Sequence, residues 1–80
     1  MILDLPAPAP PDAAIGARLK RWRESRGLSI EAMAAKIGLS PREERLAEAG
    51  RLHLNSLQMA AALNALHLPL WALQSDRPIA

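Results

Sequence analysis

The chain has 80 residues, a formal net charge of +2 and no cysteine, which limits it to one small domain and excludes disulfides and thiolate sites for metal or catalysis. Half of its residues are apolar, yet Phe and Tyr are absent; Ala and Leu dominate, which favours helix over strand and predicts an all-α fold. No apolar run is long enough to span a membrane, and Met1-Ile2-Leu3-Asp4-Leu5 lacks the basic region of a signal peptide, so the expectation is a cytoplasmic protein without membrane association.

Residues 1–11 read as a Pro/Ala-rich N-terminal arm. Leu5-Pro6-Ala7-Pro8-Ala9-Pro10-Pro11 cannot be helical, because proline lacks the amide proton and restrains the residue before it. Asp12 is a good N-cap for a first helix reaching about Arg26, with Ile15, Leu19 and Trp22 on one stripe. Gly27 stops it. Ser29 caps a second helix carrying Met33, Ala34 and Ile37, and Gly38 ends that one in a left-handed turn. Ser40-Pro41-Arg42-Glu43 combines a serine cap, a proline at the first helical position and a glutamate placed to close a capping box. The third helix it starts is stopped by Gly50. After the connection Leu52-His53-Leu54, Asn55 or Ser56 caps a fourth helix to about Leu66, striped by Met59, Leu63 and Leu66. Leu68-Pro69 breaks the chain, and Leu70 to Leu73 suggest a short fifth helix. The reading is therefore a compact five-helix bundle over residues 12–74, followed by a loose tail at 75–80.

Charge is distributed unevenly. Arg18, Lys20, Arg21, Arg23 and Arg26 face only Glu24, whereas Arg42 and Arg45 meet Glu43, Glu44 and Glu48. His53 and His67 stand apart, without ligand spacing for a metal. No serine–histidine or paired-carboxylate arrangement suggests a nucleophile or a general base, so neither an enzyme nor a cofactor is expected.

Ile15-Gly16-Ala17-Arg18-Leu19, Arg23, Gly27-Leu28-Ser29, Ala34, Gly38-Leu39-Ser40, Glu48-Ala49-Gly50 and Ala65-Leu66-His67-Leu68-Pro69-Leu70 together resemble the helix-turn-helix domain of the Cro/CI-like (XRE) repressor family. The resemblance covers residues 15–73, about three quarters of the chain. It implies a lambda-repressor-like fold, and an ion pair between Arg23 and Glu48 that locks the first helix to the end of the third. It also implies that the third helix enters the major groove of double-stranded DNA. Arg42, Glu43 and Leu46 would then meet base edges, with Arg18, Ser40, Arg45 and Arg51 on phosphates. Leu70, Trp71 and Leu73 would form a patch for a homodimer or another partner.

Two departures from the family stand out. Glu44 occupies a position that is usually apolar and directed inward. Leu46 and Glu48 lie about 160° apart on a helix, so both cannot face the core. If Glu48 turns in to meet Arg23, Leu46 faces solvent, DNA or a partner; if Leu46 is buried, the ion pair weakens. The alternative to DNA binding is a protein-interaction module on the same fold, with Ile30, Leu46, Leu52 and Leu54 exposed as an apolar surface rimmed by Glu43, Glu44 and Arg45.

Overall fold

Among the described residues there are four helices, the last three opened by cap chemistry that the sequence writes locally. The computed structural model describes residues 12–69 and 71–73; the N-terminal arm, Leu70 and the C-terminal tail lie outside the described residues. Helix α1 spans Asp12–Ser25, α2 Ile30–Ile37, α3 Pro41–Glu48 and α4 Ser56–Leu66. There is no strand among the described residues.

Each of the last three helices opens on a side-chain cap. The Ser29 hydroxyl accepts the Ala32 amide at 3.0 Å. At α3 the capping box closes fully. The Glu43 amide donates to Ser40 Oγ at 3.1 Å, and the Ser40 amide donates to Glu43 Oε1 at 2.8 Å. Asn55 and Gln58 make the same reciprocal pair at the start of α4, at 2.8 and 2.9 Å. Two otherwise orphaned amides are satisfied at each box. Between α2 and α3, Gly38 sits at φ 75° and its amide donates to the Ala34 carbonyl. A β-carbon in that left-handed conformation costs about 1 kcal/mol or more.

The core gathers Ile15 and Leu19 from α1, Met33, Ala34 and Ile37 from α2, and Ala62, Leu63 and Leu66 from α4. Leu39, Leu54, Ala72 and Leu73 close it from the connections. Helix α2 packs on both α3 and α4, and α1 packs mainly on α3. The α1–α3 crossing depends on Gly16. A β-carbon there would meet the carbonyl oxygens of Ala47 and Glu48, the second at 2.7 Å, so only glycine lets the two backbones touch.

The expected fifth helix is not found among the described residues. Residues 71–73 form a turn, closed by the Ala72 amide donating to the Pro69 carbonyl at 3.0 Å. With Pro69 fixing the start, this segment makes one turn and no helical ladder. The turn is held from outside by α1: Arg18 Nη1 donates to the Leu73 carbonyl at 3.2 Å. Arg26, stacked over Trp22 with its guanidinium carbon 5.3 Å from the ring centroid, donates Nε to the Leu66 carbonyl at 3.1 Å. The second contact satisfies a carbonyl at the end of α4, where an arginine also complements the helix dipole. His53 Nδ1 lies 2.9 Å from Asp12 Oδ1, tying the α3–α4 connection to the start of α1.

Candidate nucleic-acid interface

Helix α3 has only eight residues, so at 100° per residue its two faces separate cleanly. Glu44, Ala47 and Glu48 point inward. Arg42, Arg45, Leu46 and Ala49, at i, i+3, i+4 and i+7, form the outward stripe. Burial agrees: Glu44 is 0% exposed and Ala47 2%, whereas Arg42, Arg45 and Ala49 are exposed and Leu46 is half-buried.

The inward face is polar and is met by Arg23 from α1. Arg23 Nε donates to Glu48 Oε2 at 2.6 Å, and Nη2 donates to Glu48 Oε1 at 3.1 Å. This is the forked geometry that makes arginine–carboxylate pairs strong. The remaining nitrogen, Nη1, donates to the Leu28 carbonyl at 2.7 Å, so the same guanidinium pins the α1–α2 turn. The two side chains retain 9% and 6% exposure, and Glu24 closes the outer edge, 3.8 Å from Arg23 Nη2. The hydrogen bond to Glu48 holds the Arg23 guanidinium above its ordinary pKa, against the opposing effect of burial.

Glu44 is the anomaly of this face. Neither of its oxygens has a hydrogen-bond donor. Burial pushes its carboxyl up from 4.5 to about 8, the neighbouring Glu48 adds to the rise, and only Arg23 pulls it down. The shift favours the neutral acid, the form in which a protein interior accommodates a carboxyl without a partner.

With Glu48 turned in, the outward face contains Leu46. It is half-buried without packing on the core cluster. Arg42 is exposed at the second position of α3. Arg45 makes only an exposed pair with Glu31 of α2 at 3.4 Å, worth little in water. Arg51 is exposed just beyond the helix, and Ser40 is exposed at its start. Arg42, Arg45 and Arg51 thus stand exposed on and just beyond α3, with the carboxylates of Glu43 and Glu31 exposed among them.

Several sequence expectations are placed elsewhere. Glu43 keeps one carboxylate oxygen in the capping box, which gives it a structural task at the helix start. Arg18 turns toward the C-terminal segment and donates to the Leu73 carbonyl. Leu73 is 1% exposed and cannot belong to a surface patch. Trp71 is half-buried against the core, and Leu70 lies outside the described residues. Leu54 is 4% exposed and Leu52 packs on the core, which breaks up the apolar surface imagined around Leu46. Among the described residues there is no group of three metal-ligating side chains. No helix among them is long and apolar enough to cross a membrane.

Comparison with known proteins agrees with this architecture. A family model described as a helix-turn-helix domain matches residues 14–70. The restriction-modification controller protein C.AhdI from Aeromonas hydrophila is 26% identical, with a TM-score of 0.73 over 78% of this chain and 94% of that one. The clp gene regulator ClgR from C. glutamicum is 27% identical, with a TM-score of 0.76 over 86% of this chain and 90% of its own. The hydroxypropylphosphonic acid epoxidase from S. wedmorenis, 22% identical with a TM-score of 0.75 over 85% of this chain and 36% of that one, shares the fold alone. No curated protein matches the chain in sequence. Short capped helices, the left-handed turn at Gly38 and an exposed α3 seated on α1 thus coincide with a family match over most of the length, and the chain belongs to the helix-turn-helix domain family.

Proposed function

We propose that the chain is a DNA-binding transcriptional regulator that lays α3 in the major groove of duplex DNA. The observation that carries this reading is the orientation of α3, whose inner face is fixed to Arg23 through Glu48 so that Arg42, Arg45 and Leu46 face outward together. The relation to C.AhdI, described as a controller protein, and to ClgR, described as a gene regulator, supports it.

In this role Arg42 reads base edges. An arginine here can grip guanine O6 and N7 with two donors, for about 1–3 kcal/mol of discrimination. Leu46, one turn on, offers an apolar contact to a thymine methyl. Arg45 and Arg51 take phosphates, and the Ser40 hydroxyl donates to another while its lone pair stays in the cap. Releasing Arg45 from the exposed Glu31 pair costs little.

Fluorescence anisotropy with a labelled duplex of random sequence tests the reading. Binding is expected at low salt, and two phosphate-bound cations predict a slope of log affinity against log salt of about −2 per bound chain. Absence of binding at low salt refutes it.

A further inference from the structure

The DNA-contact reading leaves one group on α3 unused. Glu44 is wholly enclosed, and both of its oxygens lack a donor. One helical turn on, Glu48 gives its two oxygens to the Arg23 fork. The charged groups facing Glu44 are Glu48 on its own helix and Arg23 from α1. Helix α2, the other element packed on α3, buries Met33, Ala34 and Ile37, none of which titrates.

Charge balance then decides the protonation. One guanidinium neutralises one carboxylate, so this three-group cluster is balanced only when one carboxyl carries a proton. Arg23 grips Glu48, which leaves the proton on Glu44. As a carboxylic acid Glu44 gains a donor, and the Glu48 carboxylate, one turn on along the same face, can accept from it.

We propose that Glu44 is a positioning residue for α3: as a neutral acid it donates its proton to Glu48 and steadies the helix against Arg23, and loss of that proton in mildly alkaline solution loosens the helix and weakens DNA binding. The last clause rests on the DNA-binding reading, whereas the protonation and the helix response do not. Burial and the neighbouring Glu48 raise the carboxyl well above the ordinary glutamate range, toward about 8. Gln is the conservative replacement, since its amide supplies the same donor and carries no titratable proton.

The test uses the full chain and two NMR readouts across pH 5 to 10: the side-chain carboxyl shift of Glu44, and amide protection factors of α3 corrected for intrinsic base catalysis. The carboxyl is expected to titrate near pH 8, and α3 protection is expected to fall several-fold through the same interval. In Glu44→Gln that fall disappears. A carboxyl midpoint near the ordinary glutamate value overturns the proposal, as does an unchanged α3 profile in the Gln variant. If that variant does not fold, the wild-type titration still decides. In parallel, affinity for a duplex is expected to drop several-fold between pH 7 and 9 in wild type and to stay level in Glu44→Gln; equal drops overturn the link to DNA. Absence of DNA binding even at pH 6.5 refutes the functional reading alone, and the carboxyl titration and α3 protection still decide the role of Glu44.

Discussion

Replacing Arg23 with Met removes the charge and leaves a side chain of similar reach. In wild type this guanidinium makes two hydrogen bonds to Glu48 and one to the Leu28 carbonyl, with 9% of the side chain exposed. Its loss strands the Glu48 carboxylate beside Glu44 and leaves the Leu28 carbonyl without that donor. Breaking a buried pair from one side costs about 3–5 kcal/mol. A domain of roughly 60 residues has only about 3–9 kcal/mol in total. Arg23→Met is therefore expected to be largely unfolded or close to it. Urea unfolding at pH 6.5, followed by the fluorescence of Trp22 and Trp71, both packed against the core, measures the change. With a slope near 1 kcal/mol per molar, the midpoint is expected to fall by about 3 M or the folded baseline to vanish. The triple variant Arg23→Met, Glu44→Leu, Glu48→Leu removes all three polar groups together and is expected to recover most or all of the loss, since a buried ionic triad can be replaced by apolar side chains without net cost. A single-variant loss below about 1 kcal/mol refutes the reasoning, because the pair would then have to be hydrated and α3 held by something else.

Gly16→Ala places a methyl against the Ala47 and Glu48 carbonyls; a loss of about 1–3 kcal/mol is expected in the same urea assay, with the α1–α3 contact displaced, whereas Ala17→Ser on the exposed side is expected to be near neutral. Stability should also depend on pH through Glu44. Its folded pKa, about 8, lies above the ordinary 4.5, so the folded state binds the proton more tightly. This contribution is complete below pH 4.5 and is lost as pH rises through 8, by at most about 5 kcal/mol at roughly 1.4 kcal/mol per unit. Thermal melts between pH 5 and 9 should show Tm falling toward the alkaline end, and Glu44→Gln should flatten that decline; a wild-type Tm that rises over this range contradicts the assignment.

The helix boundaries were legible because caps are local chemistry. Ser29, Ser40 with Pro41, and Asn55 announce α2, α3 and α4 within three or four residues of sequence, and Gly38 marks the turn between α2 and α3. Three features were not local, and each escaped. The segment after Pro69 carries helix-forming residues, yet residues 71–73 form a single turn, met from across the fold by Arg18 of α1 at the Leu73 carbonyl. The same contact gives Arg18 a partner in the C-terminal segment that its place in the sequence did not announce. A glycine in the interior of a helix was a visible signal at Gly16, and only the path of α3 shows why it is needed.

At the candidate interface the sequence posed the right question with one term missing. The opposition between Leu46 and Glu48 was readable from helical geometry, and the structure turns Glu48 inward and leaves Leu46 half-buried. Glu44 and Glu48 are four residues apart and so share a face. Bringing one inward brings the other. Once Arg23 selects Glu48, Glu44 is enclosed with both oxygens unpartnered, and the rise of its carboxyl pKa follows from burial, which no spacing rule supplies. The outward stripe of Arg42, Arg45 and Leu46 is the geometric consequence of that seat.

Selection of bound sequences from a random duplex library, run with wild type and with Arg42→Ala at matched low salt, tests the assignment of α3 to the major groove most directly. Wild type should enrich a motif containing a guanine that Arg42→Ala no longer prefers, while the variant keeps its fold by circular dichroism and its salt-dependent binding. Failure of wild type to enrich any sequence, or identical motifs from both proteins, contradicts it.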